Sequence, residues 1–157
     1  MTLNAKYVHT NIVAKDWRKL AQFYEDVFGC TPLLPERDLS GQWIDDCTGV
    51  PEVHIRGIHL RLPGYGDGSP TGGGPTLEIF QYNQAETQPE PAINRPGLAH
   101  IAFAVDDVEA AENAVLAAGG GRYGQRVSTE IPNVGRITVV YLTDPEGNII
   151  ELQCWSP

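Results

Sequence analysis

Thr143-Asp144-Pro145-Glu146-Gly147-Asn148-Ile149-Ile150-Glu151-Leu152-Gln153-Cys154-Trp155 pairs a turn with a strand-like run that carries one carboxylate among apolar neighbours. Asp-Pro-Glu-Gly has turn chemistry, and the run after it has the apolar enrichment of a buried strand. A carboxylate in such a segment is costly to bury unless a positive group compensates it, so Glu151 needs a partner.

An earlier run has the same form. Pro75-Thr76-Leu77-Glu78-Ile79-Phe80-Gln81-Tyr82 again sets one glutamate inside a strand pattern. Upstream of each glutamate lies a strand-like run with one histidine: Tyr7-Val8-His9-Thr10-Asn11-Ile12-Val13 before Glu78, and Leu98-Ala99-His100-Ile101-Ala102-Phe103-Ala104-Val105 before Glu151. The order His…Glu therefore occurs twice.

The segments between repeat as well. Asp16 is placed to cap a helix running to about Phe28, with Trp17, Leu20, Ala21, Tyr24, Val27 and Phe28 at helical spacing and Gly29 as its stop. A loop is expected after Pro32, then a short strand around Gln42 to Asp46. A clearer strand follows at Ile55 to Leu62, where Ile58, Leu60 and Leu62 share one face and His59 and Arg61 the other. The glycine-rich run Gly64 to Gly74 reads as a mobile loop, and the proline-rich segment Asn83 to Gly97 as a linker. In the second half, Asp106 or Asp107 caps a helix through Val108, Ala111, Val115 and Leu116, with Glu109 placed for a capping box on Asp106. Strands near Gly124 to Glu130, Gly135 to Leu142 and Asn148 to Trp155 complete it.

Each half is thus one strand, one helix and three strands. The expected fold class is α+β: two such modules forming a curved mixed sheet with helices outside and a metal-containing cavity. The expected organisation is one domain over residues 1–157, with module 1 at about 5–82, a linker at about 83–97 and module 2 at about 98–157.

At 157 residues and 41% hydrophobic content the chain can bury a core. Its formal net charge of −9 argues against a nucleic-acid partner, which would call for clustered lysine and arginine. No apolar stretch approaches the ~20 residues of a membrane helix, and the first residues lack a signal peptide's apolar centre, so no membrane association is expected. Cys30, Cys47 and Cys154 form neither a disulfide framework nor a CxxC pair, which fits a cytoplasmic setting. There is no GxxxxGK[ST] phosphate loop and no Gly-x-Ser-x-Gly elbow.

Side chains two apart on a strand share a face. Leu77 and Ile79 then pack under the first helix while Glu78 and Phe80 face the hollow. Ile150 and Leu152 go to the helix side, and Ile149, Glu151 and Gln153 go inward. Two imidazoles and two carboxylates suit one divalent cation such as Zn²⁺, Ni²⁺, Fe²⁺, Mn²⁺ or Co²⁺, which would offset both glutamates. His9, Glu78, His100 and Glu151 are the expected metal ligands. His59 and Arg61, as shuttle or anion clamp, and the aromatic Phe80 and Tyr82 are the expected substrate contacts. His54 reads as loop or surface.

These motifs resemble the vicinal-oxygen-chelate superfamily, the glyoxalase/bleomycin-resistance/dioxygenase fold. The resemblance rests on His9-Thr10-Asn11-Ile12-Val13, Phe23-Tyr24, Phe28-Gly29, Gly97 to Phe103 and Asp144 to Leu152. It implies paired βαβββ modules around a metal that binds a substrate through adjacent oxygens. The family's four ligand positions fall on His9, Glu78, His100 and Glu151, a set similar to that of bacterial glyoxalase I.

The resemblance implies a metal-dependent isomerase, lyase or epimerase that moves a proton next to a carbonyl, with Glu151 as the first choice of base and Glu78 the second. Two other readings stand beside it. One is Fe²⁺-dependent extradiol ring cleavage using His9, His100 and Glu151. The other is a non-catalytic protein that sequesters a drug or metabolite against Phe80, Tyr82, Trp155 and Tyr7. A small-molecule substrate and a homodimer are the expected partners.

Overall fold

Asp16 stands in an extended conformation and its carboxylate accepts the Lys19 N–H at 3.2 Å, which starts helix α1 (Trp17–Phe28). Gly29, at φ 69°, ends it in the left-handed conformation that favours glycine. Between these caps Trp17, Leu20, Ala21, Phe23 and Tyr24 are buried. The computed structural model describes residues 2–65 and 73–156. Residues 66–72 of the glycine-rich run expected as a mobile loop lie outside the described residues.

The chain divides into two units, residues 1–87 and 88–157. In the first, α1 follows strand β1 (His9–Val13) and precedes β2 (Thr31–Ser40), helix α2 (Gln42–Thr48), β3 (His54–Arg61) and β4 (Thr76–Tyr82). The sheet order is β1-β4-β3-β2, with β1 parallel to β4 and the other pairs antiparallel. Helix α1 packs on β3 and β4. The side chains beneath it, Ile58, Leu60, Leu77 and Ile79, are each at most 5% exposed. Burying such a set of aliphatic side chains, each worth roughly 1.5–3 kcal/mol, fixes the sheet's register, because a slip of one residue would turn all of them outward.

The second unit repeats this plan with β5 (Ile101–Ala104), helix α3 (Val108–Ala117), the two-residue β6 (Gly121–Arg122), β7 (Val127–Ile131), β8 (Gly135–Thr143) and β9 (Ile149–Ser156). The sheet order is β5-β9-β8-β6, β7 pairs with β8, and β5 runs parallel to β9. Val140, Leu142, Ile150 and Leu152 are buried to within 1%, and α3 packs on β8 and β9. The mixed α+β class and the alternation of Glu78 and Glu151 with helix-facing leucine and isoleucine agree with the sequence pattern.

Three local expectations are corrected. Gln42 to Asp46 is not a strand but the start of α2, which lies between glycines at φ 98° and 71°. It is held because Asp45 accepts the backbone N–H groups of Glu52 and Val53 at 3.0 and 2.9 Å, while Ile44 packs on Val53, Ile55 and Phe80. The segment after Pro32, expected as a loop, is instead the edge strand β2. It accommodates Pro32 and Pro35 because an edge strand does not need every N–H, and its pairing shifts register between Leu33 and Arg37. Finally, of the two candidate caps it is Asp107 that serves α3, accepting the Ala110 N–H at 3.0 Å, so the capping box expected on Asp106 does not form. Glu109 is then out of capping-box position and pairs with Arg126 at 3.1 Å.

Candidate metal-binding site

The register of the first sheet decides which side chains meet. Parallel pairing of β1 with β4 sets Asn11 opposite Glu78, and antiparallel pairing of β3 with β4 sets His59 opposite Glu78 on the other side. His9 lies two residues before Asn11 and so on the same face. The three sequence-distant strands thus bring His9, His59 and Glu78 together, with a potential ligand atom from each lying within 4.8 Å of the others.

Glu78 is 9% exposed, and both its oxygens are engaged. Oε2 accepts the Asn11 side-chain amide at 2.7 Å and lies 3.4 Å from His9 Nε2. Oε1 lies 2.8 Å from His59 Nε2, and His59 Nδ1 is 3.0 Å from the Thr76 hydroxyl. Burial pushes the His59 imidazole below its ordinary range, against the opposing pull of Glu78 and with help from the charges of Arg37 and His9. A neutral ring in which Nε2–H donates to Glu78 and Nδ1 accepts from Thr76 satisfies every atom. The same hydroxyl can instead accept from Nδ1–H, which would leave the Nε2 lone pair available to a cation. Such a partner on the remote ring nitrogen is the usual companion of a metal-binding histidine.

The second unit carries a related pair. His100 Nε2 lies 3.0 Å from Glu151 Oε2, and the Glu151 side chain is 13% exposed. His100 Nδ1 is buried without a hydrogen-bond partner among the described residues. An imidazole nitrogen in that state beside a shielded carboxylate matches the donor chemistry of a divalent first-row metal.

The expected substrate contacts fall on the Glu78 face of the first sheet. Phe80 sets its ring edge-on to His59, centroids 6.0 Å apart, and Tyr82 packs against the cluster of Ile44, Val53, Ile55 and Phe80. Burial, then the charge of Glu78, pushes the Tyr82 phenol up. Arg61 lies opposite Thr76, on the face of His59. His54 begins β3 and meets Asp38 at 2.5 Å.

Sequence reasoning placed His59 among substrate contacts, whereas the structure sets it beside His9 and Glu78. Asn11 was detectable, being in step with His9. Thr76 and Tyr141, the latter opposite Glu151 on β8, depend on strand register and had no signal in the sequence. Among the described residues no helix is long and apolar enough to cross a membrane.

The sequence model of the Glyoxalase/Bleomycin resistance protein/Dioxygenase superfamily matches residues 6–152. A protein of Vibrio parahaemolyticus named probable lactoylglutathione lyase is 28% identical over 151 residues, which cover 95% of this chain and 90% of the relative. Among solved structures, a glyoxalase family protein from Bacillus cereus is similar over 100% of this chain and 97% of its own, with a TM-score of 0.74 and 17% identity. A genomically encoded fosfomycin resistance protein from Listeria monocytogenes is similar over 100% of this chain and 94% of its own, with a TM-score of 0.54 and 14% identity. At such identities the structural likeness speaks for the fold.

Proposed function

Because the chain belongs to the Glyoxalase/Bleomycin resistance protein/Dioxygenase superfamily, we propose that it is a metal-dependent lyase or isomerase that moves a proton next to a carbonyl of a small substrate with two adjacent oxygens. The observation that carries this reading is the convergence of His9 and His59 on the shielded Glu78 carboxylate. These three are the proposed metal donors of the first unit, and His100 and Glu151 those of the second. A divalent ion, when bound, would supply positive charge against the paired oxygens and make the neighbouring C–H more acidic.

The rest is work for the chain's own residues. Glu78 is held at both oxygens by Asn11, His59 and His9, so its role is to stay in place. Beside Glu151 the position equivalent to Asn11 is Ala102, which makes no side-chain hydrogen bond and leaves the carboxylate room to turn. Glu151 therefore takes the proton from one substrate carbon and returns it to the neighbouring one, an isomerisation that needs no oxidant. Phe80 and Tyr82 offer an apolar surface to the substrate body, and Arg61 a positive charge to an anionic end.

The test follows the product named for the Vibrio relative. Metal-loaded protein, given glutathione and 2-oxopropanal, should form lactoylglutathione, seen as thioester absorbance, and chelator should abolish it. Glu151→Gln should lower turnover at least about 100-fold. Turnover that survives chelation and both Glu78→Gln and Glu151→Gln would refute the proposal. A homodimer in the cytoplasm belongs to the same reading, and light scattering at the mass of one chain would remove the dimer from it.

The composition of the first-unit cluster, two histidines and one carboxylate, also favours a second reading. That donor set suits Fe²⁺ chemistry with O₂. Oxygen uptake by Fe²⁺-loaded protein with a catechol, and no lactoylglutathione formed, would select it.

A further inference from the structure

The two units share a plan, and setting their registers side by side shows where they have diverged. Glu78 faces His59 across β3 and β4, and Glu151 faces Tyr141 across β8 and β9. Asn11 on β1 corresponds to Ala102 on β5, and Phe80 corresponds to Gln153. The first glutamate thus has an amide and an imidazole as cross-strand neighbours, the second only a phenol. The Tyr141 ring stands 5.2 Å from the His100 ring at 65°, so it also walls the histidine that meets Glu151 at 3.0 Å.

We propose that Tyr141 is the positioning residue of Glu151, its hydroxyl donating to the carboxylate and fixing the orientation from which that group turns toward substrate. The inference rests on the reading of Glu151 as the proton-moving carboxylate. A tyrosine phenol is protonated at neutral pH, so the hydroxyl of Tyr141, directly across the strand pair from Glu151, is a donor to that carboxylate. With no amide at the Ala102 position, a single hydroxyl orients Glu151 without clamping it. His59 and Asn11 together clamp Glu78. One repeat has become the holding half and the other the moving half, through substitutions beside the glutamates rather than at them.

Tyr141→Phe keeps the ring that packs on His100 and removes only the hydroxyl. With 2-oxopropanal and glutathione as the probe, this variant should lower kcat about 10- to 100-fold with KM unchanged. Tyr141→His, which copies the solution used beside Glu78, should recover most of the loss. The carbon-13 resonance of the Glu151 side-chain carboxyl, identified by its disappearance in Glu151→Gln, should move in Tyr141→Phe and return toward its wild-type position in Tyr141→His. The Glu78 resonance should stay still in both. Wild-type kcat in Tyr141→Phe, or an unmoved Glu151 resonance, would overturn the assignment. Should wild type itself form no lactoylglutathione, the proposed reaction fails, and the resonance still decides the contact.

Discussion

Replacing Gly57 with alanine should damage both the fold and the site. Gly57 lies in the middle of β3 opposite Phe80 of β4. A Cβ there would sit 2.1 Å from the Ile79 carbonyl oxygen, 2.5 Å from Phe80 Cδ1 and 2.9 Å from Phe80 Cα. Two of those three neighbours are backbone atoms of the paired strand, so no change of rotamer relieves the overlap. The strands must part next to the His59–Glu78 pair. Overpacking of a core costs about 1–3 kcal/mol, and a backbone clash belongs at the upper end. With about 2–4 °C of Tm per kcal/mol for a chain of this size, a loss of about 3 kcal/mol lowers Tm by about 6–12 °C. Urea unfolding in the presence of chelator measures it free of metal, as a lower midpoint at constant slope. Adding Phe80→Ala should not restore the midpoint, because the Ile79 oxygen remains in the way. A Gly57→Ala variant within about 0.5 kcal/mol of wild type would refute the reasoning.

Other expectations concern groups outside the site. Glu112 is 5% exposed and bonds both Arg122 and Arg126. Glu112→Ala should cost about 1.5–3 kcal/mol in urea unfolding, as the loss of hydrogen bonds between charged groups. Arg122→Ala should cost less than about 1 kcal/mol, since Arg126 still pairs with the carboxylate. Cys30 is buried, which pushes its thiol up to about 11, with the charge of Glu25 adding to the effect. The unfolded chain ionises this thiol first as pH rises above 9.0, so stability should fall between 9.0 and about 11, and Cys30→Ala should flatten that limb. At neutral pH a thiol reagent should modify the exposed Cys47 quickly and Cys30 only on unfolding. Equal rates at the two positions would contradict the burial.

What the sequence revealed depended on period. The alternation in Leu77-Glu78-Ile79 and Ile150-Glu151-Leu152 declared one face apolar, and the structure places those faces under α1 and α3. Asp16 and Gly29 bounded α1 because caps are local chemistry. The short segment Gln42 to Asp46 was misread because Trp43 and Ile44 are too few to set a period. Asp45 makes it a helix through bonds to Glu52 and Val53, a tertiary fact. Picking out His9 and Glu78 as candidate site residues needed only the repeat. Adding His59 needed the pairing of β3 with β4, and Tyr141 that of β8 with β9. Register between strands is set by the whole core, so no stretch of sequence announces it.

The most direct measurement is calorimetric titration of chelator-stripped protein with Co²⁺ or Zn²⁺, comparing wild type with His9→Ala, His59→Phe and Glu78→Gln. Wild type should show saturable binding and each variant an affinity at least about 10-fold weaker, with unfolding midpoints of the metal-free proteins little changed. Wild type that binds no divalent ion, or variants that bind it as tightly as wild type, would contradict the claim that His9, His59 and Glu78 form a metal site.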